Sequence, residues 1–434
     1  MVLERPPRSL RSRLLLTSGR AADGGRGSLT SHLELKLGFH RSAADYLSMT
    51  SRFDSPKAII TGRGCRAQSA DLLASLHAQR TLIVSDPFFA SSEFLGEMRT
   101  TLAAKGIAVE LFTEFQPDPT DQNVLAGAEQ FSRFGADSIL AIGGGSALDV
   151  AKMVGVAAAN PGPVSQFQGY HRVSNPGPPL VAVPTTAGTG SEATKVAVIT
   201  DTSRNVKMMI LDAKLMPTVA IVDYELTFSM PKPLTAHVGV DALTHGIEAY
   251  VSRKANPLTD PVALSCITKI HENLSAAWSD PGNEKAREAM SLAALQGGLA
   301  FTNSSVCLVH GMSRPLGLVF HLPHGLSNSV LLPTVTSFSW PGATARYAEI
   351  AREMRIVADK SSDELACESL AEWLARLNND LQVPRLRECC AGDVEKFRAS
   401  LHKMASDALE SGSPQNNPIV PAPDQIVELF ELAW

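Results

Sequence analysis

The sequence is poor in the features that would tie it to a membrane, to nucleic acid or to a disulfide framework. Its six cysteines (Cys65, Cys266, Cys307, Cys367 and the adjacent Cys389 and Cys390) are irregularly spaced and include no C-x-x-C. That excludes zinc-knuckle spacing and reads as reduced thiols in a cytoplasmic protein. No apolar run reaches the roughly 20 residues needed to span a bilayer. Basic residues do not exceed acidic ones: the net charge is −5 and the pI about 6.1. There is no overall basic field for a nucleic-acid partner, and the sparse aromatics, 6% of residues, do not interleave with Lys and Arg. What is present is 434 residues, 44% of them hydrophobic, enough for two domains with cores of their own.

Residues 1–30 hold six Arg and only two acidic residues, and Gly and Pro interrupt every helical run. LLL at 14–16 is too short for the apolar core of a secretory signal. Residues 1–50 therefore read as a poorly ordered extension, as a mitochondrial transit peptide, or as the product of a start codon placed too far upstream. They stand outside the fold argument.

From Lys57 short β-branched runs alternate with helical stretches. KAIIT (57–61), RTLIVSD (80–86), IAVELF (107–112) and the start of DSILAIGGGSALDVAKMVGVAAA (137–159) read as strands, with helices between them. This rhythm indicates a parallel sheet with helices on both faces, a Rossmann-like α/β domain over residues 51–230. After Met230-Pro231-Lys232-Pro233 the β-branched runs fade and Ala/Leu-rich helical periodicity takes over, so residues 231–434 are expected to form an all-α domain.

Two stretches carry chemistry. The turn Gly143-Gly144-Gly145-Ser146 follows an apolar strand and opens a helix. Its glycines let backbone N–H groups approach a phosphate, and the helix N-terminus adds partial positive charge. It is neither G-x-G-x-x-G nor a P-loop, and alone it is a weak signal. Asp86, at the end of the second strand, can bond adenosine ribose hydroxyls and repel a 2′-phosphate, which favours NAD. PTTAGTGSEAT (184–194) is a second small-residue loop whose Thr185, Thr186 and Ser191 offer hydroxyls.

The other stretch runs from Asp241 to Gly325. In DALTH (241–245), Asp241 and His245 are four apart in a helix-forming run, hence on one face and able to grip one divalent metal ion. His310 and His324 can add two nitrogen ligands. One Asp and three His suit Fe(II), or Zn(II), better than Ca²⁺ or Mg²⁺. Four protein ligands close a tetrahedral site, so turnover requires a fifth position or a loosened ligand.

These motifs together resemble the iron-containing alcohol dehydrogenases, the group that includes lactaldehyde reductase, from about Phe53 to the C-terminus. The resemblance implies an α/β nucleotide-binding half and a helical metal-binding half with the active site in the cleft between them. It implies hydride transfer between NAD(H) and a small alcohol or aldehyde, with the metal a Lewis acid toward the substrate oxygen, and a homo-oligomer, dimer or larger. Carried over by residue, the metal ligands fall on Asp241, His245, His310 and His324. GGGSALDVAK matches the family's pyrophosphate-binding sequence with Asp149 and Lys152 in place. Thr185 and Thr186 fall where the family contacts ribose and nicotinamide, Thr194 and Lys207 on further cofactor-contact positions, and Asp86 where NAD is favoured over NADP. PDPT (117–120) departs from the family's Pro-Asn-Pro-Thr at Asp118.

A second departure bears on the substrate. Where members such as lactaldehyde reductase have a histidine four residues after the third ligand, this chain has Arg314. Arginine stays protonated and cannot act as a general base, but its fork can bind a carboxylate or phosphonate. The expected substrate is then a small aldehyde with an anionic group, such as a carboxylated semialdehyde or phosphonoacetaldehyde; the alternative is an internal salt bridge or a narrower pocket. His321 is a candidate proton relay or a partner to a ligand. Two other classes fit less well: a hydroxyacid–oxoacid transhydrogenase that retains its nicotinamide, and a catalytically silent scaffold, which would need neither the four ligands nor the glycine turn.

Overall fold

Strands β2 (Arg80–Ser85), β4 (Ser138–Gly143), β6 (Leu180–Pro184) and β9 (Val219–Val222) are almost wholly buried along their length. Uninterrupted apolar runs of this kind belong to a parallel sheet covered on both faces. They form the centre of a six-stranded parallel sheet, order β1-β9-β6-β4-β2-β3, whose edge strands β1 (Ala58–Thr61) and β3 (Ala108–Phe112) are only partly buried. The computed structural model describes residues 50–434. The expectations for the first fifty residues fall, but for Thr50, outside it.

The helices between strands are α1 (Ser69–Ser75), α2 (Glu93–Ala104), α3 (Asp121–Phe134) and α4 (Gly145–Ala159). β3 lies on one side of β2 and β4 on the other. The chain thus reverses direction across the sheet at β2/β4, and the crevice at the carboxyl ends of these two strands is where an open α/β sheet binds its ligand. Asp86 follows β2, and the glycine turn follows β4.

A second, three-stranded sheet was not legible in the sequence. It has the order β5-β8-β7, with β5 at Gly169–Tyr170, β7 at Val196–Asp201 and β8 at Val206–Leu211. The two faces of the β7–β8 hairpin differ. Ala197, Ile199, Met208 and Ile210 pack on Val124 of α3 and Met153 and Val156 of α4. Val196, Val198, Lys207, Met209 and Leu211 alternate with them and turn to a cavity.

Beyond β9 the labelled elements are helices: α5 (Lys232–Val251), α6 (Asp260–Ser279), α7 (Glu284–Asn303), α8 (Leu308–Phe320) and α9 (His324–Ser339), with further helices to Ala433. α5 is buried almost all round, which makes it the axis of this half. The described residues fall in one compact unit. The small-residue loop from β6 meets α7 backbone to backbone: at Gly298 a Cβ would lie 2.5 Å from the Gly190 carbonyl oxygen, and Gly190 itself has φ +60°. Only glycine at both positions allows this approach, which fixes the loop against the helices.

Candidate active site

One cavity of about 210 Å³ is walled by both halves, from Gly145, Ser146 and Asp149 to Asp241, His245, His310 and His324. At its nucleotide end α4 starts directly from β4. Its N-cap, Gly144, forms no side-chain cap, so the first-turn N–H groups are left for a ligand. A Cβ at Gly143 would lie 2.6 Å from Ala147 Cβ and 2.7 Å from Asp86 Oδ2; one at Gly145 would lie 2.8 Å from Thr189 Cγ2. Thr185 N–H donates to the Gly143 carbonyl at 3.0 Å, and Thr186 packs beside Gly144. Asp86 caps the one-turn helix Pro87–Ala90, accepting from Phe89 N–H at 3.1 Å. The turn has the shape and free donors that a pyrophosphate requires. Gly143→Ala, which must push Ala147 or Asp86 aside, is expected to weaken NADH binding about tenfold or more, some 1.4 kcal/mol. Fluorescence titration of NADH measures this, and an unchanged Kd would contradict it.

Other expected cofactor residues are placed around the turn but are internally engaged. Lys152 is buried and donates to Ser191 Oγ (2.8 Å), Thr194 Oγ1 (3.0 Å) and the Val196 carbonyl (2.8 Å). Asp149 accepts from Ser191 Oγ at 2.8 Å and Val198 N–H at 2.9 Å. These bonds tie α4 to the small-residue loop and to β7, so Asp149, Lys152 and Thr194 hold the cradle in shape. Lys207 lines the cavity and pairs with Asp118 at 2.7 Å, so the departure at position 118 neutralises a lysine at the cavity wall.

At the other end, Asp241, His245, His310 and His324 come together with one ligand atom each, all within 4.8 Å of one another. Asp241 Oδ1 lies 3.9, 3.7 and 3.8 Å from the Nε2 atoms of His245, His310 and His324. Asp241 and His245 share one face of α5; His310 is in the first turn of α8 and His324 starts α9. The His245 ring stacks on His310 (centroids 4.6 Å apart) and on Phe301 (4.4 Å).

Two residues that sequence reading missed complete this group. Glu248 is buried on α5, seven residues after Asp241 and three after His245, a helical spacing that was there to be noticed. Its carboxylate accepts from Cys307 N–H (2.8 Å), Val309 N–H (2.6 Å) and His310 Nδ1 (2.7 Å). Two backbone donors compel an acceptor, which puts the His310 proton on Nδ1 and turns the Nε2 lone pair toward Asp241. Burial, with His245 and Arg314 nearby, holds His310 well below its ordinary pKa, so its ring is neutral. Burial raises Glu248 to about 7. The second residue, Asn328, one turn after His324, reaches into the same group. Three imidazoles, that of His310 with an oriented lone pair, and one carboxylate are a donor set for a divalent transition metal, and the residues fit one.

Arg314 lines the cavity from α8. Nη1 donates to Ser413 Oγ at 3.0 Å and Nη2 lies 3.5 Å from Met209 Sδ. Both partners are neutral, and among the described residues Arg314 forms no ion pair, so the internal salt bridge is not what the structure shows. Lys254 and Tyr170 line the same cavity, with the Lys254 ammonium 5.8 Å from the Tyr170 ring centre. His321 is different. It is exposed, ends α8 with φ +55°, and is absent from the residues lining the cavity. The structure does not bring it to the site as a proton relay: its left-handed backbone turns the chain between α8 and α9.

Residues 56–224 match the family model for iron-containing alcohol dehydrogenase, and residues 235–434 match that for the C-terminal part of the Fe-containing alcohol dehydrogenase family. An NAD-dependent methanol dehydrogenase from Bacillus methanolicus is 38% identical, over 89% of this chain and 100% of its own. A crystal structure of a 1,3-propanediol oxidoreductase superposes with a TM-score of 0.85 at 35% identity, covering 89% of this chain and 100% of its own. A sulfoacetaldehyde reductase from Bifidobacterium kashiwanohense, solved with NAD⁺, superposes with a TM-score of 0.78 at 28% identity, covering 89% of this chain and 99% of its own.

Proposed function

The chain belongs to the iron-containing alcohol dehydrogenase family and is an NAD-linked, metal-dependent oxidoreductase; on that premise we propose that its substrate pair is a small aldehyde bearing an anionic group and the corresponding primary alcohol. The observation that carries the reading is Arg314, a cation in the cavity wall with no carboxylate partner among the described residues, in the cavity that Asp241 and the three histidines also line. Burying a guanidinium there costs desolvation that Glu248, near but not in contact, only partly offsets, and an anionic substrate group returns it through charge-assisted, bidentate bonds. Lys254 adds a second positive charge to the same wall. A structural neighbour named for sulfoacetaldehyde, an aldehyde with an anionic sulfonate, agrees in kind. Carboxylated semialdehydes and phosphonoacetaldehyde share that chemistry.

When bound, the nicotinamide carries the hydride and the divalent metal, Fe(II) before Zn(II), acts as a Lewis acid toward the substrate oxygen. This chain's residues do the positioning. The uncapped N-terminus of α4 and the glycine turn hold the dinucleotide phosphates, with Asp86 beside the turn as the residue that favours NAD. Asp241, His245, His310 and His324 would hold the metal, and Glu248 fixes the His310 proton on Nδ1, which leaves its Nε2 lone pair for that role. Arg314 sets the far end of the substrate so that its carbonyl faces the ligand group, and as a fixed cation it takes no proton.

The test is a steady-state comparison of matched neutral and anionic aldehydes with wild type and Arg314→Ala. Loss of a charge-assisted pair, about 1.5–3 kcal/mol, should raise KM for the anionic aldehydes about 10- to 100-fold and leave the neutral ones within about twofold. Equal effects on both would sink the reading.

A further inference from the structure

Asn328 is fully buried on α9, four residues after His324 and therefore on the same face. Its amide nitrogen lies 2.6 Å from Asp241 Oδ1, 3.1 Å from His310 Nε2 and 3.2 Å from His324 Nε2. Its amide oxygen is buried and has no partner among the described residues. The orientation follows from the surroundings. With the amide turned over, an oxygen would face a carboxylate and two imidazole nitrogens, at least one of which presents a lone pair because Glu248 holds the other nitrogen's proton.

The amide is not there to satisfy itself. A buried carbonyl oxygen without a donor is unfavourable, and an apolar residue of the same size would avoid it. What an apolar residue would lose is the –NH₂, two protons facing the Asp241 carboxylate and the His310 lone pair, with His324 Nε2 beside them in the same buried space. Those same three atoms belong to the group able to hold the metal.

We infer that Asn328 is a positioning residue of the metal centre: its amide nitrogen holds the Asp241 carboxylate and draws His310 and His324 into one convergent set, kept assembled until a cation takes the amide's place on those atoms. Without it, Asp241 and the two imidazoles are free to turn apart, and the metal must reorganise them on binding. The inference rests on the reading of the four residues as metal ligands. It assigns Asn328 no contact with substrate or cofactor.

The experiment is chelator competition for Co(II) and Zn(II) on the full-length protein, with the visible absorption of the Co(II) form recorded in parallel. Wild type is compared with Asn328→Leu, which keeps the volume, and with Asn328→Ala in case the leucine disturbs folding. Both substitutions should weaken metal binding about 10- to 100-fold, the range for groups that orient metal ligands, and should change the Co(II) band. A purely structural role would lower thermal stability and leave the affinity and spectrum of the folded protein unchanged; that outcome, or tighter binding, overturns the inference. Wild type that binds neither metal fails the ligand reading itself, and so distinguishes the two failures.

Discussion

Asp241→Ala protein is expected to come through dialysis without bound Fe(II) or Zn(II) and to reduce aldehydes at least about 10³-fold more slowly, because metal Lewis acidity contributes several kcal/mol and each 1.4 kcal/mol is tenfold in rate. Asp241 is the only anion in the ligand set. The three imidazoles around it bind a cation through a ring-nitrogen lone pair, which carries no negative charge, and its Oδ1 is within 3.9 Å of the Nε2 atom of all three. It is also almost without solvent, 1% exposed, so water does not take its place easily. Asp241→Asn keeps the shape and removes the charge. It should fold like wild type and still lose most of the metal, which separates an electrostatic from a packing effect. Metal content by atomic emission beside kcat/KM checks the pair, and a metal-replete, active Asp241→Ala protein would contradict the assignment.

Glu248→Ala should be the most destabilising single change near the site. The carboxylate caps the start of α8 through Cys307 and Val309 and holds His310 as well. Truncation strands three buried donors at about 1–3 kcal/mol each, so a loss of roughly 3–5 kcal/mol is expected once relaxation is allowed for. The thermal midpoint of the metal-free protein measures it. Glu248→Gln tells capping from tautomer control. Its single amide oxygen can replace only one of the two carboxylate oxygens, Oε1 that serves Val309 or Oε2 that serves Cys307 and His310, so part of the stability should remain. His310 Nδ1 loses its carboxylate, and metal affinity should fall about 10- to 100-fold. A glutamine variant with wild-type metal affinity would show that Glu248 only caps.

Residues that announce themselves along the chain were legible, and residues defined by distant partners were not. DALTH is readable because Asp241 and His245 share one helix and one face; the glycine turn is readable because it separates a buried strand from a buried helix. Glu248 and Asn328 carried faint signals of the same kind, helical spacings from a ligand. Their roles depend on His310, 62 residues from Glu248, and on Asp241, 87 residues from Asn328. The β7–β8 hairpin went unseen because VAVITD and VKMMIL are apolar on both faces, one packed on helices and the other lining the cavity, so alternation is erased. His321 shows the opposite error: three residues from a ligand in sequence, it is carried outward by a left-handed turn. Arg314 was visible as a departure from the family pattern, but only the fold shows that its partners, Ser413 and Met209, carry no charge.

The most direct measurement is NADH oxidation by protein stripped with a chelator and then loaded with Fe(II) or, in parallel, Zn(II), given an anionic aldehyde and a neutral one of equal length. The stripped protein should be inactive toward both, metal should restore turnover, and kcat/KM should favour the anionic aldehyde. Turnover that is the same with and without metal would contradict the role given to Asp241 and the three histidines, and preference for the neutral aldehyde would contradict that given to Arg314.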